Sequence, residues 1–489
     1  MDGEGWTFIT GATGFIGHVL LADLLRRGHR CAVLARSPHA WADLSPKLAE
    51  LGIDAVLMQE LSALKVVQGS LPEGLPSHAF GPVDRIVHCA ASTRFEADES
   101  GEPYRTNDTG TAKLLEWAQR RGICELHLIS TAFVCGRRCG RVPEVLFREP
   151  PAFRNDYERS KWLAETCAAA WAARTGGSLT VYRPSIVVGD YTTGRTTRFC
   201  GLYRALRAFA GAARSGRNRP FRLLGRASDR FNFIPVDHVS RVIAEVIQRP
   251  ARHGAIYHLV NPRPPTLGAF VWALAAHHGI DQCRLVEGGE YAAFDERERS
   301  FARAVRELVP YLFDAPEFER GNAASIEAAT SGPCPEWDAD VLARWLRFAI
   351  NAKWGREKEE TPMNSEPVAR FFEDFLPAEV PKSALSGLPW LTTTFRFIVD
   401  GHPNGEWVCC FKDGRLASVC RGVAAENEQF VYRMGVGAFW DIVGGKVDPQ
   451  EVFLSGRAEV SGDYEQALKF GMVLMQFNRE HPYAPADAA

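Results

Sequence analysis

Tyr157 stands four residues before Lys161 in "NDYERSKWLAE", residues 155 to 165. Residues at i and i+4 share a helix face, so an ammonium there approaches the phenol. A tyrosine, with an ordinary pKa of about 10, becomes a competent acid at neutral pH when adjacent positive charge favours its phenolate. The choice of lysine is informative, because the 57 basic residues divide into 10 lysines and 47 arginines. The plain alternative is a solvated pair on a helix surface. Upstream, "LISTAFVCG" ends a strand-like run with Ser130 and Thr131. A hydroxyl at the carboxyl end of a parallel strand lies on the crevice side, where ligands of such sheets bind. These residue types suit proton donation to a carbonyl oxygen during hydride transfer.

"TGATGFIG" places Gly11, Gly14 and Gly17 between a first strand and a first helix. Glycines there allow a tight turn and close approach of backbone to a pyrophosphate, which then sits on the positive end of the helix. The loop from Gly11 through Thr13, Gly14, Phe15 and Ile16 to Gly17 is the expected cofactor cradle. At the end of the second strand, "VLARS" has Arg36 where an enzyme preferring NAD usually carries an acid. Its planar fork suits a 2'-phosphate, so NADPH is the expected cofactor, unless one arginine in so arginine-rich a chain is accidental.

The elements that must position these groups alternate. "TFIT", "CAVLAR", "KVVQG", "RIVHCAA", "LHLIST" and "LTVYRPSIVVG" read as strands. "FIGHVLLADLLRRG", residues near 40 to 51, "TAKLLEWAQRRG" and "ERSKWLAETCAAAWAARTG" read as helices between them. Such alternation implies right-handed crossovers and an α/β fold, a doubly wound parallel sheet of Rossmann type. Residues 190 to about 350 are more irregular and are expected to form a substrate subdomain, with the strand "AIYHLV" and the helix "GAFVWALAAHHG" closing back towards the sheet. The expected divisions are 1–350, a charged linker over 351–366, and a separate α+β domain over 367–489. In the last, "TTFRFIVDGHPNGEWVCCFKDGRLASVCRG" alternates apolar and polar residues and breaks at "NG" and "DG", the pattern of an antiparallel meander.

Composition narrows the function classes. The chain of 489 residues is 46% hydrophobic and 24% charged, the balance of a folded protein. A formal charge of -2 argues against general attraction to nucleic acid. "MDGEGWTFIT" lacks the basic and apolar regions of a signal peptide, and no apolar run reaches about 18 residues, so no transmembrane segment and a cytoplasmic location are expected. The 12 cysteines lack paired CxxC spacing, so no metal site is expected from them. Cys31 and Cys89 read as reduced core thiols.

Taken in order, the glycine loop, "HCAAS", "NDTGT", "ISTAFVCG" and the Tyr157/Lys161 pair resemble the extended short-chain dehydrogenase/reductase family over residues 7 to about 190. "YRPSIVVGDYTTG" and "FNFIPVDHVS" carry the resemblance to about 260. Within that family the chain is most similar to the male-sterility or thioester-reductase branch, which reduces acyl-CoA or carrier-bound acyl thioesters with NADPH. The resemblance implies that Thr131 polarises the carbonyl, Tyr157 donates the proton, and Lys161 lowers its pKa while holding the nicotinamide ribose. It also implies that Asn107 supports the proton relay and that groups at Ala90, Ala91 and Pro184 line the cofactor. One departure is Ser70 in "VVQGSL", where the family often has an acid that contacts adenine.

Ten arginines and one acid, Asp229, fall between Arg195 and Arg230. They read either as a solvated helical surface or as a cradle for CoA phosphates or an acidic acyl carrier protein. From about 367 to 485, "FRFIVDG", "WVCCFKDGRLASVCRG", the apolar helical segment "FWDIVGGKVDPQEVFLSGRAEVSGD" and "YEQALKFGMVLMQF" resemble the sterol carrier protein type two domain, whose five-stranded sheet and helices enclose an apolar tunnel. The stripe of Leu468, Met472 and Met475 reads as plain core. Together the resemblances imply an NADPH-dependent reductase of a long-chain acyl thioester, with a lipid-binding domain attached. The alternatives are a dehydrogenase of a sterol or other hydroxy-lipid and a lipid-transfer or sensing protein.

Overall fold

The structure, a computed structural model, describes residues 5–36, 40–76, 81–214, 220–312, 316–330, 332–355, 366–400, 405–422, 427–454 and 456–483. The chain divides into two compact units. The first comprises Met1–Arg198, Gly225–Leu274 and Glu307–Phe348. The second comprises Phe199–Leu224, Ala275–Arg306 and Ala349–Ala489, so parts of the expected substrate subdomain group with the C-terminal sheet. Most of the expected linker, residues 356–365, lies outside the described residues.

In the first unit, β1 (Trp6–Thr10) leads through the glycine loop to α1 (Phe15–Arg26). There follow β2 (Cys31–Ala35), β3 (Leu64–Gln68), β4 (Val83–His88), α2 (Gly110–Arg120), β5 (Glu125–Ile129), α3 (Asp156–Thr175), β6 (Ser178–Pro184), α4 (Val236–Ile247) and β7 (Ile256–Leu259). The seven strands lie in the order β7-β6-β5-β4-β1-β2-β3, all parallel. The order reverses between β1 and β4, and ligands of open α/β sheets bind at such a switch point. β1 and β2 are buried at every residue, as expected of strands covered on both faces. Cys31 lies in that core, and Cys89 is half-buried at the end of β4. Asn155 caps α3 by accepting from the Glu158 amide at 3.0 Å, and Gly176 ends it in the left-handed conformation. The helix that carries Tyr157 therefore begins one residue before it.

A buried ion pair joins α3 to β6. Arg183 donates to both carboxylate oxygens of Glu165, at 3.0 and 2.7 Å, with side chains 0% and 2% exposed. Replacing Arg183 by Met strands a buried carboxylate and is expected to cost about 3–5 kcal/mol in chemical denaturation. The double variant Arg183→Met/Glu165→Leu should recover most of that loss.

In the second unit, residues 221–224 pair in parallel with 283–286. The C-terminal part holds β8 (Thr393–Asp400), β9 (Glu406–Lys412), β10 (Arg415–Arg421), β11 (Phe430–Gly435), β12 (Ala458–Gly462) and α5 (Tyr464–Glu480). The five strands run in the order β10-β9-β8-β11-β12. The expected meander holds for β8 to β10, but β8 pairs with β11 in parallel, so the sheet is mixed. The segment read as one apolar helix is two short helices, Val436–Val443 and Pro449–Leu454, followed by β12. Gly444 and Gly445, the latter at φ 67°, stop the first helix, and β12 is extended because it zips antiparallel onto β11.

The buried face of α5 is Ala467, Phe470, Leu474 and Phe477, not the expected stripe. Leu468 is buried, but Met472 is 41% exposed and Met475 is only half-buried. The aromatic residues turn the helix, because Phe470 packs on Phe395 and Phe411 of the sheet. Beneath α5 is an apolar cavity of about 10 Å³ lined by Phe372, Phe397, Phe439, Phe470 and Leu474 among others. That is room for about one water-sized body, far less than an acyl chain. Among the described residues, no helix is long and apolar enough to cross a membrane.

Candidate active site

The glycine loop forms a cradle that only glycine permits. Gly11 has φ 71°, and a side chain there would meet the Ala90 amide nitrogen at 2.5 Å. A Cβ on Gly17 would lie 2.1 Å from the Gly11 carbonyl oxygen. Gly14 is the N-cap of α1 and makes no side-chain capping bond, so the first-turn amides of the helix face an exposed position. Thr13, Phe15 and Ile16 are half-buried around it. The cradle suits a dinucleotide pyrophosphate. Ala90 and Ala91 follow β4 directly across from Gly11, and the Ala90 amide donates to Thr10 Oγ1 at 3.3 Å. Arg36 is exposed just beyond β2, and Pro184 is buried at the end of β6.

At the carboxyl end of β5, Thr131 is 5% exposed. Its hydroxyl caps the short turn Ala132–Cys135 by accepting from the Phe133 amide at 3.3 Å, and it is hydrogen-bonded to the Tyr157 phenol. Neighbouring Ser130 has a buried hydroxyl with no protein partner, as does Ser185 beyond β6. The Tyr157 ring stacks on Phe95, with centroids 6.1 Å apart. Burial pushes the phenol up to about 12, and the cation acting against that rise is Arg198. Arg198 is tied to the Thr93 hydroxyl at 2.5 Å.

Lys161 is only 2% exposed and donates to the Ile129 carbonyl, at the end of β5, at 2.8 Å. Burial pulls its ammonium down to about 8, partly offset by Glu165. Lys161 was expected to lower the Tyr157 pKa; the cation that acts on the phenol in this structure is Arg198. The lysine is held over the strand end. Because the folded pKa lies below the ordinary value of about 10.5, the folded state holds fewer protons than the unfolded one between pH 8 and 10.5. This group therefore adds stability as pH rises through that window. The charge available to a bound cofactor falls over the same range. Cofactor affinity is expected to decline above pH 8, and Lys161→Arg, which stays charged, should flatten that decline in a fluorescence titration.

Asn107 is 1% exposed in a π-helical turn, Arg105–Thr109. Its amide oxygen accepts from the Ser92 amide at 2.8 Å, and its nitrogen donates to the Ser92 carbonyl at 2.9 Å and to Ser160 Oγ at 2.8 Å. The side chain thus clamps the loop after β4 to α3 and is a positioning residue. Its backbone carbonyl accepts from Thr111 Oγ1 at 2.6 Å. Thr111 and Thr10 also hold both nitrogens of the buried His88, at 3.0 and 2.6 Å, and burial keeps that ring near pKa 3, hence neutral. Sequence reasoning missed Arg198 and the Ser92–Asn107–Ser160 clamp. Nothing marked Arg198 among ten neighbouring arginines.

That arginine segment is partly committed within the protein. Arg222 makes a two-pronged pair with Glu298 at 3.0 and 2.6 Å, Arg226 pairs with Asp229 at 3.1 Å, and Arg230 donates to the Pro264 carbonyl at 3.1 Å. Arg217 and Arg219 lie outside the described residues.

The seven-stranded parallel sheet, with its glycine cradle at the switch point and a Thr–Tyr hydrogen bond beside a buried lysine, has the layout of a dinucleotide-binding α/β fold. Residues 9–243 match the male sterility protein family and residues 377–475 the SCP-2 sterol transfer family. The first match covers the nucleotide-binding part of the chain and the second the C-terminal part. An aldehyde reductase, lnaA of Aspergillus flavus, is 27% identical over 412 residues, covering 74% of this chain and 38% of that protein. An isonitrile lipopeptide synthase of Streptomyces coeruleorubidus is 29% identical over 271 residues, 52% of this chain and 17% of that protein. The chain thus spans well under half the length of these relatives. Among solved structures, the terminal R domain from the myxalamid PKS-NRPS biosynthetic pathway is 25% identical with a TM-score of 0.60, covering 72% of this chain and 92% of that one. A thiolation-reductase di-domain from an archaeal non-ribosomal peptide synthetase has a TM-score of 0.56 at 19% identity, a likeness of fold, over 73% and 78% of the two chains.

Proposed function

We propose that this protein is an NADPH-dependent reductase of an acyl thioester, and that its substrate arrives on CoA or on the pantetheine arm of a carrier protein. The observation that carries the reading is the Thr131 hydroxyl hydrogen-bonded to the Tyr157 phenol at the mouth of the sheet, in a domain of the male sterility family. The relatives named as peptide-synthetase reductase domains support a carrier-bound thioester, and Arg36 beyond β2 supports a 2'-phosphate. The SCP-2 domain supports a long apolar acyl chain. Its cavity must widen to take one.

Bound reduced cofactor supplies the hydride. Thr131 Oγ1 turns its proton to the thioester carbonyl oxygen and orients it. Tyr157, its phenol kept protonated by burial, gives its proton to that oxygen as negative charge develops, and Arg198 steadies the resulting phenolate. The hemithioacetal then collapses, its carbon–sulfur bond breaking as the hydroxyl proton leaves, to yield aldehyde and free thiol. A second hydride and proton delivered to the aldehyde give the alcohol.

The test follows NADPH oxidation and free thiol together, with palmitoyl-CoA, a palmitoyl carrier protein and a panel of ketosteroids. Thiol appearing in step with NADPH loss, at one NADPH per thiol for aldehyde and two for alcohol, is the expected result. NADPH loss with ketosteroids and no thiol release from either thioester would overturn the proposal in favour of a hydroxy-lipid dehydrogenase.

A further inference from the structure

Glu125, His127 and His253 gather at the end of the sheet opposite the catalytic crevice. Glu125 opens β5, the strand whose other end leads to Thr131, and His253 lies in the connection from α4 to β7. Glu125 Oε1 is 2.9 Å from His127 Nε2 and 3.5 Å from His253 Nδ1, and one ligand atom from each of the three lies within 4.8 Å of the others. A tetrahedral zinc ion with arms of about 2.0–2.1 Å separates its ligand atoms by about 3.3 Å, so closing the three around an ion needs movements of roughly 1 Å.

The second nitrogen of each ring is already anchored. His253 Nε2 is 3.0 Å from the Val246 carbonyl and 3.3 Å from that of Ile247, in the last turn of α4. Carbonyls only accept, so that nitrogen carries the proton. Its Nδ1 therefore faces the Glu125 carboxylate as a lone pair, which repels it, or with a proton or a cation between them. His127 Nδ1 is 2.9 Å from the Tyr182 hydroxyl, which can accept its N–H and leave Nε2 free as a ligand. Histidines that hold metals characteristically fix their other nitrogen in this way. His127 is fully buried and burial disfavours its charged form, whereas Glu125 keeps 22% of its side chain exposed, which gives an ion a way in. Arg85 donates to the same Glu125 oxygen at 2.8 Å, so an ion takes the remaining lone pair or Oε2.

We propose that Glu125, His127 and His253 form a zinc site with a fourth position open to solvent, which clamps the start of β5 to the connection after α4. Two imidazoles and one carboxylate are borderline donors that favour Zn²⁺ over Mg²⁺ or Ca²⁺. The experiment uses the full chain stripped with chelator and titrated with Co²⁺ and then Zn²⁺. Expected are one Co²⁺ per chain with the visible absorption of a tetrahedral site, displacement by Zn²⁺, and a rise in Tm that chelator reverses. Glu125→Gln and His253→Asn should each weaken binding by about 10-fold or more while NADPH affinity, measured at the far end of the sheet, stays unchanged. That affinity also reports that each variant is folded. Absence of saturable Co²⁺ uptake, or uptake equal in the parent and both variants, would overturn the proposal.

Discussion

Tyr157→Phe is expected to lower kcat by about 10²–10⁴-fold, the usual contribution of a positioned general acid, while leaving the dissociation constant for NADPH unchanged. The substitution removes one oxygen and keeps the ring that stacks on Phe95, so packing of the pocket persists. Thr131 keeps its bond from the Phe133 amide and hence its place. The loss should fall on kcat and kcat/KM alike, because the proton is given only as the carbonyl oxygen becomes charged. Single-turnover kinetics with a thioester substrate separate this from slow product release. A fall of less than tenfold would mean that another group, with Thr131 the nearest candidate, gives the proton.

Gly17→Ala is the second large effect, and it acts on cofactor binding instead of chemistry. The new Cβ would stand 2.1 Å from the Gly11 carbonyl oxygen and 2.9 Å from the Ala12 Cα. Both are backbone atoms of the loop that no side-chain rotation can move, so α1 must retreat from the loop that its amides complete. Overpacking of this kind costs about 1–3 kcal/mol, which corresponds to about 5–150-fold in NADPH affinity if the strain is relieved at the cradle. Isothermal titration reads that loss directly, and circular dichroism shows whether the domain remains folded. Gly28→Ala serves as the contrast, because a Cβ there meets nothing within 4 Å and only its φ of 82° is strained. An affinity for Gly17→Ala equal to that of Gly28→Ala would show that the cradle does not carry the pyrophosphate.

The distinction between these two effects also marks what could be read in advance. Gly11, Gly14 and Gly17 were legible because their requirement is local: a strand, a tight turn and a helix within a dozen residues. The spacing of Tyr157 and Lys161 was legible for the same reason, since one helix face fixes their relation. The functions of their surroundings were not. Arg198 lies 41 residues after Tyr157 and belongs to a run of similar arginines, so only folding picks it out as the cation acting on the phenol. Asn107 was recognised by its motif, but its three bonds to Ser92 and Ser160 depend on α3 and the loop after β4 meeting it.

The C-terminal sheet makes the same point in a different architecture. Alternation and "NG" and "DG" turns were enough for the antiparallel strands β8 to β10, whose pairing is between sequence neighbours. The parallel pairing of β8 with β11 and the strand β12 joins residues distant in sequence, and neither leaves a local pattern. On α5, several apolar residues competed for the inward face. The sheet selected Phe470 and Phe477 and left Met472 in solvent, because large aromatic rings recover more buried area than methionine. By itself the sequence determined the class of sheet, the glycine turn and the placing of Tyr157 and Lys161 on one helix face, all of which are set by short-range geometry. Only the tertiary structure decided which cation acts on the phenol, how tightly the C-terminal cavity closes, and that Glu125, His127 and His253 meet. Each of those depends on groups that approach one another across the chain, and sequence spacing carries no record of such distances.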